Sequence, residues 1–174
     1  LLAEHDALDA IVSELTAEQW AIPTASPRWS VADQIGHLAF FDRSAALAIG
    51  DPDGFAAHLR ELLGAMTSSD GTGDDEAADS NDGGNPEDRA TLGEFRAMRP
   101  AELLAAWRTH RATLAEAAAS LTDDTRVAWY GPSMGAKSFL TARLMETWAH
   151  GQDIVDAVGA DRPATDRLRH IAQL

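Results

Sequence analysis

Apolar residues recur with a helical period along most of the chain, and the first stretch shows the pattern clearly. Within residues 1–19, one face carries apolar side chains at the i, i+3, i+4 and i+7 positions: Leu8, Ile11, Val12 and Leu15. The segment that follows is interrupted by Pro23 and Pro27 and bounded by Trp20 and Trp29. We therefore predict a helix over residues 1–19 and then a loop held in place by the two tryptophans.

A second helix is predicted from Ser30 to about Gly50. Ser30 stands three positions before Asp33, an arrangement typical of a helix N-cap. Apolar residues then fall on two sides of the helix, one marked by Ile35, Leu38 and Ala39 and the other by His37, Phe40 and Phe41. A helix with apolar side chains on two sides is expected to be buried nearly all round.

Two more long helices are predicted in the second half of the chain. One covers residues 100–121 and starts with a proline, which is favoured at the first helical position. The other covers residues 138–158 and ends before Gly159. A short extended piece is predicted at residues 127–129, and a short helix at residues 54–66.

Residues 67–90 differ from the rest of the chain in being acidic and rich in glycine. They hold eight acidic residues against Arg89, a net charge of −7 that is half of the formal charge of −14 of the whole chain. Such a segment cannot bury enough apolar surface to order itself, so we predict a flexible insertion.

The lengths of the links between the predicted helices indicate how the helices are arranged. Short links join the first two long helices and the last two, whereas some 50 residues separate the second from the third. A long crossover at this place permits the second and third helices to run parallel. The expected fold is all-α, a four-helix bundle with a long crossover between helices 2 and 3, over residues 1–159. Residues 160–174 are interpreted as the start of a truncated C-terminal extension.

Charge and composition limit the kinds of binding partner and the cellular location to be expected. An acidic chain without a basic stripe lacks the electrostatic attraction that drives binding to nucleic acid or to anionic membrane surfaces. No apolar run approaches the ~18 residues of a membrane span. The absence of Cys excludes disulfides, a Cys-based zinc site and a protein thiol nucleophile, and it fits a cytoplasmic location.

The last predicted helix carries polar residues where a core-facing helix usually has leucine. Glu146 and His150, four apart, lie on one helix face, and Asp153 follows one turn later. With a second His these residues would make a two-His, one-carboxylate metal site with room for water or substrate, which is a catalytic pattern. The alternative is a partly exposed Glu beside a His that packs against Trp148 or Phe139.

Two histidines are candidates for the third ligand. His37 lies among Phe40 and Phe41, where an unpaired polar group is costly to bury. His110 also lies on the apolar face of its helix, and spacing alone does not exclude it. The other three are interpreted as surface or helix-edge residues: His5, His58 and His170.

Two stretches carry a resemblance to a known family, "PTASPRWSVADQIGHLAFFD" and "LMETWAHGQDIVDAVG". The chain resembles the DinB-like metal-binding bundles, and most of all the branch named for mycothiol-dependent maleylpyruvate isomerase. The resemblance implies a divalent metal, usually zinc, held by His37, Glu146 and His150. It makes Asp153 a candidate partner for a ligand imidazole. Arg28 stands where the family pattern leads us to expect Gly.

The resemblance also implies a reaction. The metal would bind and deprotonate a low-molecular-weight thiol such as mycothiol, whose thiolate adds to a small electrophile, in an isomerase or a transferase. Arg143, one turn before Glu146, is a candidate to hold a substrate carboxylate, and an ion pair with Asp42 is its structural alternative. Two other functions remain open: a hydrolase with Asp153 as base, and a metal-binding module without catalysis. Nickel, iron or manganese would also suit these ligands. The resemblance also allows a homodimer, since DinB-like bundles often dimerise.

Overall fold

The protein is mostly helical. A computed structural model describes residues 1–68 and 86–173, and in these residues it contains eight helices and one two-stranded antiparallel sheet. The elements are α1 Leu2–Val12, α2 Ala17–Trp20, α3 Val31–Gly50, α4 Pro52–Ser68, α5 Pro86–Arg96, α6 Pro100–Ala118, β1 Arg126–Val127, β2 Met134–Gly135, α7 Ala136–Val158 and α8 Leu168–Ile171. The expected all-α class is confirmed. None of these helices combines the length and the apolar character needed to cross a membrane.

The first predicted helix is in fact two helices. α1 ends at Val12, and α2 begins after Thr16. Thr16 Oγ1 accepts a hydrogen bond from the Gln19 amide, and Gln19 Oε1 accepts one from the Thr16 amide at 2.9 Å. This reciprocal cap starts a new helix, so Leu15 lies in the connection and packs against the core from there.

Helix α3 is the central helix of the fold, and its predicted start is confirmed. The Ser30 hydroxyl accepts from the Asp33 amide, and the Asp33 carboxylate accepts from the Ser30 amide at 2.9 Å. α3 packs against α4, α5, α6 and α7, as expected for a helix that is apolar on two sides. Its contact with α5 is close at Gly36, where a Cβ would lie only 3.1 Å from Phe95 Cβ.

Helices α4 and α5 change the predicted boundaries around the acidic segment. α4 begins at Pro52, two residues earlier than expected, because Asp51 Oδ1 caps it by accepting from the Gly54 amide at 2.9 Å. The flexible insertion was predicted over residues 67–90, but α5 already begins at Pro86, since its Leu92 and Phe95 are buried against α3. Residues 69–85 lie outside the described residues.

The two remaining long helices follow the prediction closely. α6 ends at Ala118, three residues before the predicted end, and α7 begins at Ala136, two residues before the predicted start. α7 stops at Gly159, which has a φ of 67°. A left-handed residue after the last turn is the usual glycine end of a helix. Only part of the predicted extended piece at 127–129 is strand, since β1 pairs Arg126 and Val127 with β2.

The segment after α7 folds back onto α1. Arg162 and Arg167 both donate to the carboxylate of Glu4, which is only 2 % exposed. Arg162 also donates to the Trp148 carbonyl of α7 at 2.9 Å. A buried carboxylate needs such partners, and here they come from the segment interpreted as the start of an extension.

A charged cluster lies in the centre of the core, where α1, α3, α6 and α7 meet. Asp42 is fully buried and accepts from Arg143 Nη2 at 2.9 Å and from Trp107 Nε1 at 3.2 Å. His5 Nε2 lies 3.3 Å from the same carboxylate, and the His5 ring meets the Trp107 ring edge-on. His5 is therefore not a surface residue as predicted. One carboxylate ties four helices together.

We predict that Asp42→Asn strongly destabilises the protein. Removing one charge leaves the buried Arg143 guanidinium uncompensated, which costs about 3–5 kcal/mol of unfolding free energy. Asp123→Asn is the matched control: this exposed carboxylate also pairs with a cation, Lys137, at 2.9 Å. Its loss is expected to cost less than about 1 kcal/mol in chemical denaturation. Equal effects of the two substitutions would contradict the central role of Asp42.

The same pair predicts a pH dependence of stability. Burial acts to raise the pKa of Asp42, but the Arg143 guanidinium and the His5 imidazole outweigh it, so the pKa is lowered. The contribution of Asp42 is thus complete above the ordinary Asp pKa of about 4 and is lost as the pH falls through the lowered value. Denaturation curves of wild type and Asp42→Asn should converge on acidification. A constant difference down to acidic pH would contradict this.

Candidate metal centre

Three potential metal ligands converge between α3 and α7. His37 comes from α3, and Glu146 and His150 come from successive turns of α7. Glu146 Oε2 lies 3.3 Å from His37 Nε2 and 3.2 Å from His150 Nε2, and one ligand atom from each residue lies within 4.8 Å of the others. The structure thus brings together the three residues of the predicted triad.

The spacing of these atoms suits a small divalent cation. Ligand bonds of about 2.0–2.1 Å at a tetrahedral angle place neighbouring ligand atoms about 3.3 Å apart. Both distances to Glu146 Oε2 match that value. The side chains are partly accessible, with exposed fractions of 15 % for His37, 32 % for Glu146 and 17 % for His150. A cation held here would have protein on one side and space on the other.

The other candidate for the third ligand lies elsewhere. His110 Nδ1 is 3.0 Å from the Ala39 carbonyl, and its ring packs edge-on against Phe95. Both partners belong to the α3–α5–α6 side of the protein. The structure therefore places His37, and not His110, beside Glu146 and His150. Helical spacing could not decide this, because both histidines lie on apolar helix faces.

The triad belongs to a line of polar contacts along the interface of α3 and α7, which we name the polar seam. It consists of three pairs: Asp42 with Arg143, His37 with Glu146, and Gln34 with His150. The numbers on α3 fall as those on α7 rise, so the two helices run antiparallel. Asp42, Arg143 and Gln34 are buried, whereas the three side chains of the triad are partly exposed.

Gln34 is a functional candidate that the sequence analysis missed. Its Oε1 lies 2.5 Å from His150 Nδ1, while its Nε2 donates to Asp153 Oδ2 at 3.1 Å. Asp153 also accepts from the Ser26 hydroxyl at 2.8 Å. Asp153 was expected to contact a ligand imidazole itself, but Gln34 stands between it and His150. The available signal was the position of Gln34, one turn before His37.

Arg143 has the contact that was its structural alternative. It is 3 % exposed and donates to Asp42 through Nη2, while its Nε has no hydrogen-bond partner among the described residues. Its guanidinium carbon lies 5.9 Å from the centre of the Phe41 ring. Asp42 therefore holds Arg143 in place but uses only part of its hydrogen-bonding capacity.

Trp29 covers the two imidazoles. Its ring lies 5.0 Å from the His37 ring and stacks on the His150 ring at 5.8 Å between centres. Its Nε1 donates to Asp88 of α5 at 3.3 Å. Arg28, just before it, has a φ of 67°, a conformation that glycine adopts without strain. The backbone thus keeps the glycine-like turn where Gly was expected, and Arg28 occupies it.

The site changes the acid–base properties of two of its own members. The contacts with His150 and His37 hold the pKa of Glu146 far below its ordinary range. Burial lowers the pKa of His37, and the hydrogen bond with Glu146 opposes this only in part. An ionised carboxylate beside a neutral imidazole is the protonation state in which both groups bind metals.

Two cavities meet at the triad and share His37 and Phe41. The first, the inner cavity, measures about 190 Å³ and has an aromatic wall, and it is lined by Phe41, Trp129, Phe139, His37, Arg143 and Glu146. The second, the outer cavity, measures about 390 Å³, lies on the side of Trp29 and is lined also by Ser26, Arg28, Asp88 and His150. Two molecules can therefore approach the triad from different sides.

Comparison with known proteins identifies a family. The model of the mycothiol maleylpyruvate isomerase N-terminal domain matches residues 1–155. Two uncharacterized proteins of Mycobacterium tuberculosis, from strains CDC 1551 and H37Rv, are each 48 % identical to the chain over 174 residues. The match covers the whole chain but only 61 % of the length of either relative. No solved structure matches significantly.

We predict that the pKa of His37 in the metal-free protein lies below the ordinary His value of about 6.5, because burial disfavours the imidazolium. Glu146→Gln should lower it further, since the charged hydrogen-bond partner is then absent. NMR titration of the His37 ring proton measures both values, with Glu102→Gln on the surface of α6 as control. A pKa that rises in Glu146→Gln would contradict the described contact.

Proposed function

Because the chain belongs to the family of mycothiol maleylpyruvate isomerase N-terminal domains, we propose that it binds one divalent metal ion through His37, Glu146 and His150. The further proposal is a thiol-dependent isomerase or transferase that acts on a small electrophile. Zinc suits two imidazoles and one carboxylate, as do nickel, iron and manganese. In this proposal α1, α3, α6 and α7 form the four-helix bundle that carries the site.

One observation carries the proposal: three ligand atoms from two helices meet at the junction of two cavities. A structural zinc site is closed by four protein ligands, whereas a catalytic site has three and keeps a position for water or substrate. Here three ligands face accessible space. The arrangement favours a metal that meets small molecules over a metal that only stabilises the fold.

The metal would supply one chemical property, namely a lower pKa for the thiol of a cosubstrate, so that the nucleophilic thiolate forms near neutral pH. The chain has no Cys, so the sulfur has to come from a cosubstrate such as mycothiol. The outer cavity is the larger of the two, and its lining includes several polar side chains, which suits a hydrophilic thiol.

The inner cavity suits the electrophile. Three aromatic rings and Arg143 line it, so it offers apolar surface and one cation to a small molecule. Asp42 holds Arg143 through Nη2, and the guanidinium has further N–H donors besides that one. Arg143 is proposed to bind a carboxylate of the substrate, and Asp42 to position Arg143.

A metal-binding module without catalysis of its own is the second candidate. It is favoured by the coverage of the relatives, since the chain spans 61 % of their length and further substrate contacts can lie in the rest. A hydrolase has less support. Asp153, its candidate base, accepts hydrogen bonds from Ser26 and Gln34 through Oδ2. Gln34 also separates Asp153 from His150.

We predict about one divalent ion per chain in wild-type protein purified without a metal-affinity tag, because the three ligands form one site. His37→Ala should lose the ion, since two ligands on one helix bind weakly. His110→Ala, a matched change on α6, should keep it. Inductively coupled plasma mass spectrometry measures the metal content of the wild type and of both variants. Wild-type protein that contains no metal, even after zinc is added back, would rule out the proposed site.

The proposed reaction predicts consumption of an electrophile that depends on both metal and thiol. The zinc-loaded chain is mixed with mycothiol and maleylpyruvate or another small unsaturated carboxylate, and the product is followed by mass spectrometry. Glu146→Gln should abolish the thiol-dependent rate. The same assay on a full-length Mycobacterium tuberculosis relative separates the two candidates. Activity only in the longer protein favours the module, and activity in neither contradicts the thiol-dependent reaction.

A further inference from the structure

Gln34 lies at the hydrogen-bonded centre of the region behind His150. Its side chain is fully buried. Its amide makes three contacts: Nε2 with Thr24 Oγ1 at 2.8 Å, Nε2 with Asp153 Oδ2 at 3.1 Å, and Oε1 with His150 Nδ1 at 2.5 Å. Both hydrogens of the NH₂ group and one oxygen lone pair are therefore used.

The partners of the Gln34 amide determine where its oxygen and its nitrogen lie. The Asp153 carboxylate already accepts from the Ser26 hydroxyl and can only accept from Gln34. The Thr24 hydroxyl donates its one proton to the Trp29 carbonyl at 3.0 Å, so it too accepts from Gln34. A flipped amide would place its oxygen against two acceptors. The NH₂ group must therefore face Thr24 and Asp153, and Oε1 must face His150.

An amide oxygen accepts hydrogen bonds and cannot donate one, so the nitrogen it contacts has to carry the proton. We propose that Gln34 is a positioning residue that holds the neutral His150 imidazole in its Nδ1-protonated tautomer and thereby directs the lone pair of Nε2 towards Glu146 and His37. The orientation of Gln34 is in turn held by Thr24 and Asp153, and Asp153 is held by Ser26.

This tautomer has a consequence for the triad. Nε2 of His150 lies 3.2 Å from Glu146 Oε2, and with its proton on Nδ1 it presents a lone pair to a carboxylate. Two acceptors at that distance repel each other unless a cation lies between them. Gln34 thus prepares the site for a positive charge and prevents Glu146 from being satisfied by a proton of His150. This last step rests on the proposed metal function, whereas the tautomer does not.

The tautomer is measured directly on metal-free protein by ¹⁵N NMR of the imidazole rings, at a pH well above the ordinary His pKa of about 6.5. In wild type, His150 should show a protonated Nδ1 and an unprotonated Nε2. In Gln34→Leu, which has similar size but no acceptor, the proton should move to Nε2 and be donated to Glu146. Gln152→Leu, a glutamine on the exposed side of α7, is the control.

Zinc affinity gives the second measurement. Gln34→Leu should bind zinc about 10–100-fold more weakly than wild type, the usual effect of removing the partner of a ligand imidazole, while Gln152→Leu should not change it. Wild-type His150 with its proton on Nε2, or Gln34→Leu with an unchanged tautomer, would overturn the inference whether or not zinc binds. The predicted tautomer without zinc binding would instead leave Gln34 assigned and contradict the proposed function.

Discussion

The contact between α3 and α7 is the constraint on which the rest of the structure depends. Polar groups that are removed from water must find partners, and these two helices place theirs in facing pairs along one seam. At the buried end, Asp42 and Arg143 neutralise each other and draw in α1 and α6 through His5 and Trp107. The pairing fixes the register of α3 against α7. This register also sets the other two pairs of the polar seam.

The same register places the triad one to two turns away. With Asp42 opposite Arg143, the helical repeat brings His37 opposite Glu146, where the interface opens to the cavities. The seam therefore changes from a buried ion pair into three side chains of metal-ligating type beside accessible space. Burying an ion pair carries a desolvation cost that apolar side chains would avoid. Here the pair holds the turns of α3 and α7 that carry the triad at a fixed distance. Fold and chemistry come from one interface.

The sequence predicted what depends on local pattern. The helix class, the cap at Ser30, the end of α7 at Gly159 and the pairing of Glu146 with His150 all follow from positions a few residues apart. What depends on the register between distant helices was not predictable. Spacing left His37 and His110 open, and resemblance to a family favoured the former before the structure placed it there. The role of Gln34 was missed because its partners come from a loop and from another helix.

The most direct test of this account is a crystal structure of the zinc-loaded protein, with anomalous diffraction recorded at the zinc absorption edge. The account predicts one strong peak within bonding distance of Nε2 of His37, Nε2 of His150 and a carboxylate oxygen of Glu146, with Gln34 still on His150 Nδ1. A peak that involves other residues, or none at these three atoms, would contradict the proposal that the α3–α7 interface binds a metal through this triad.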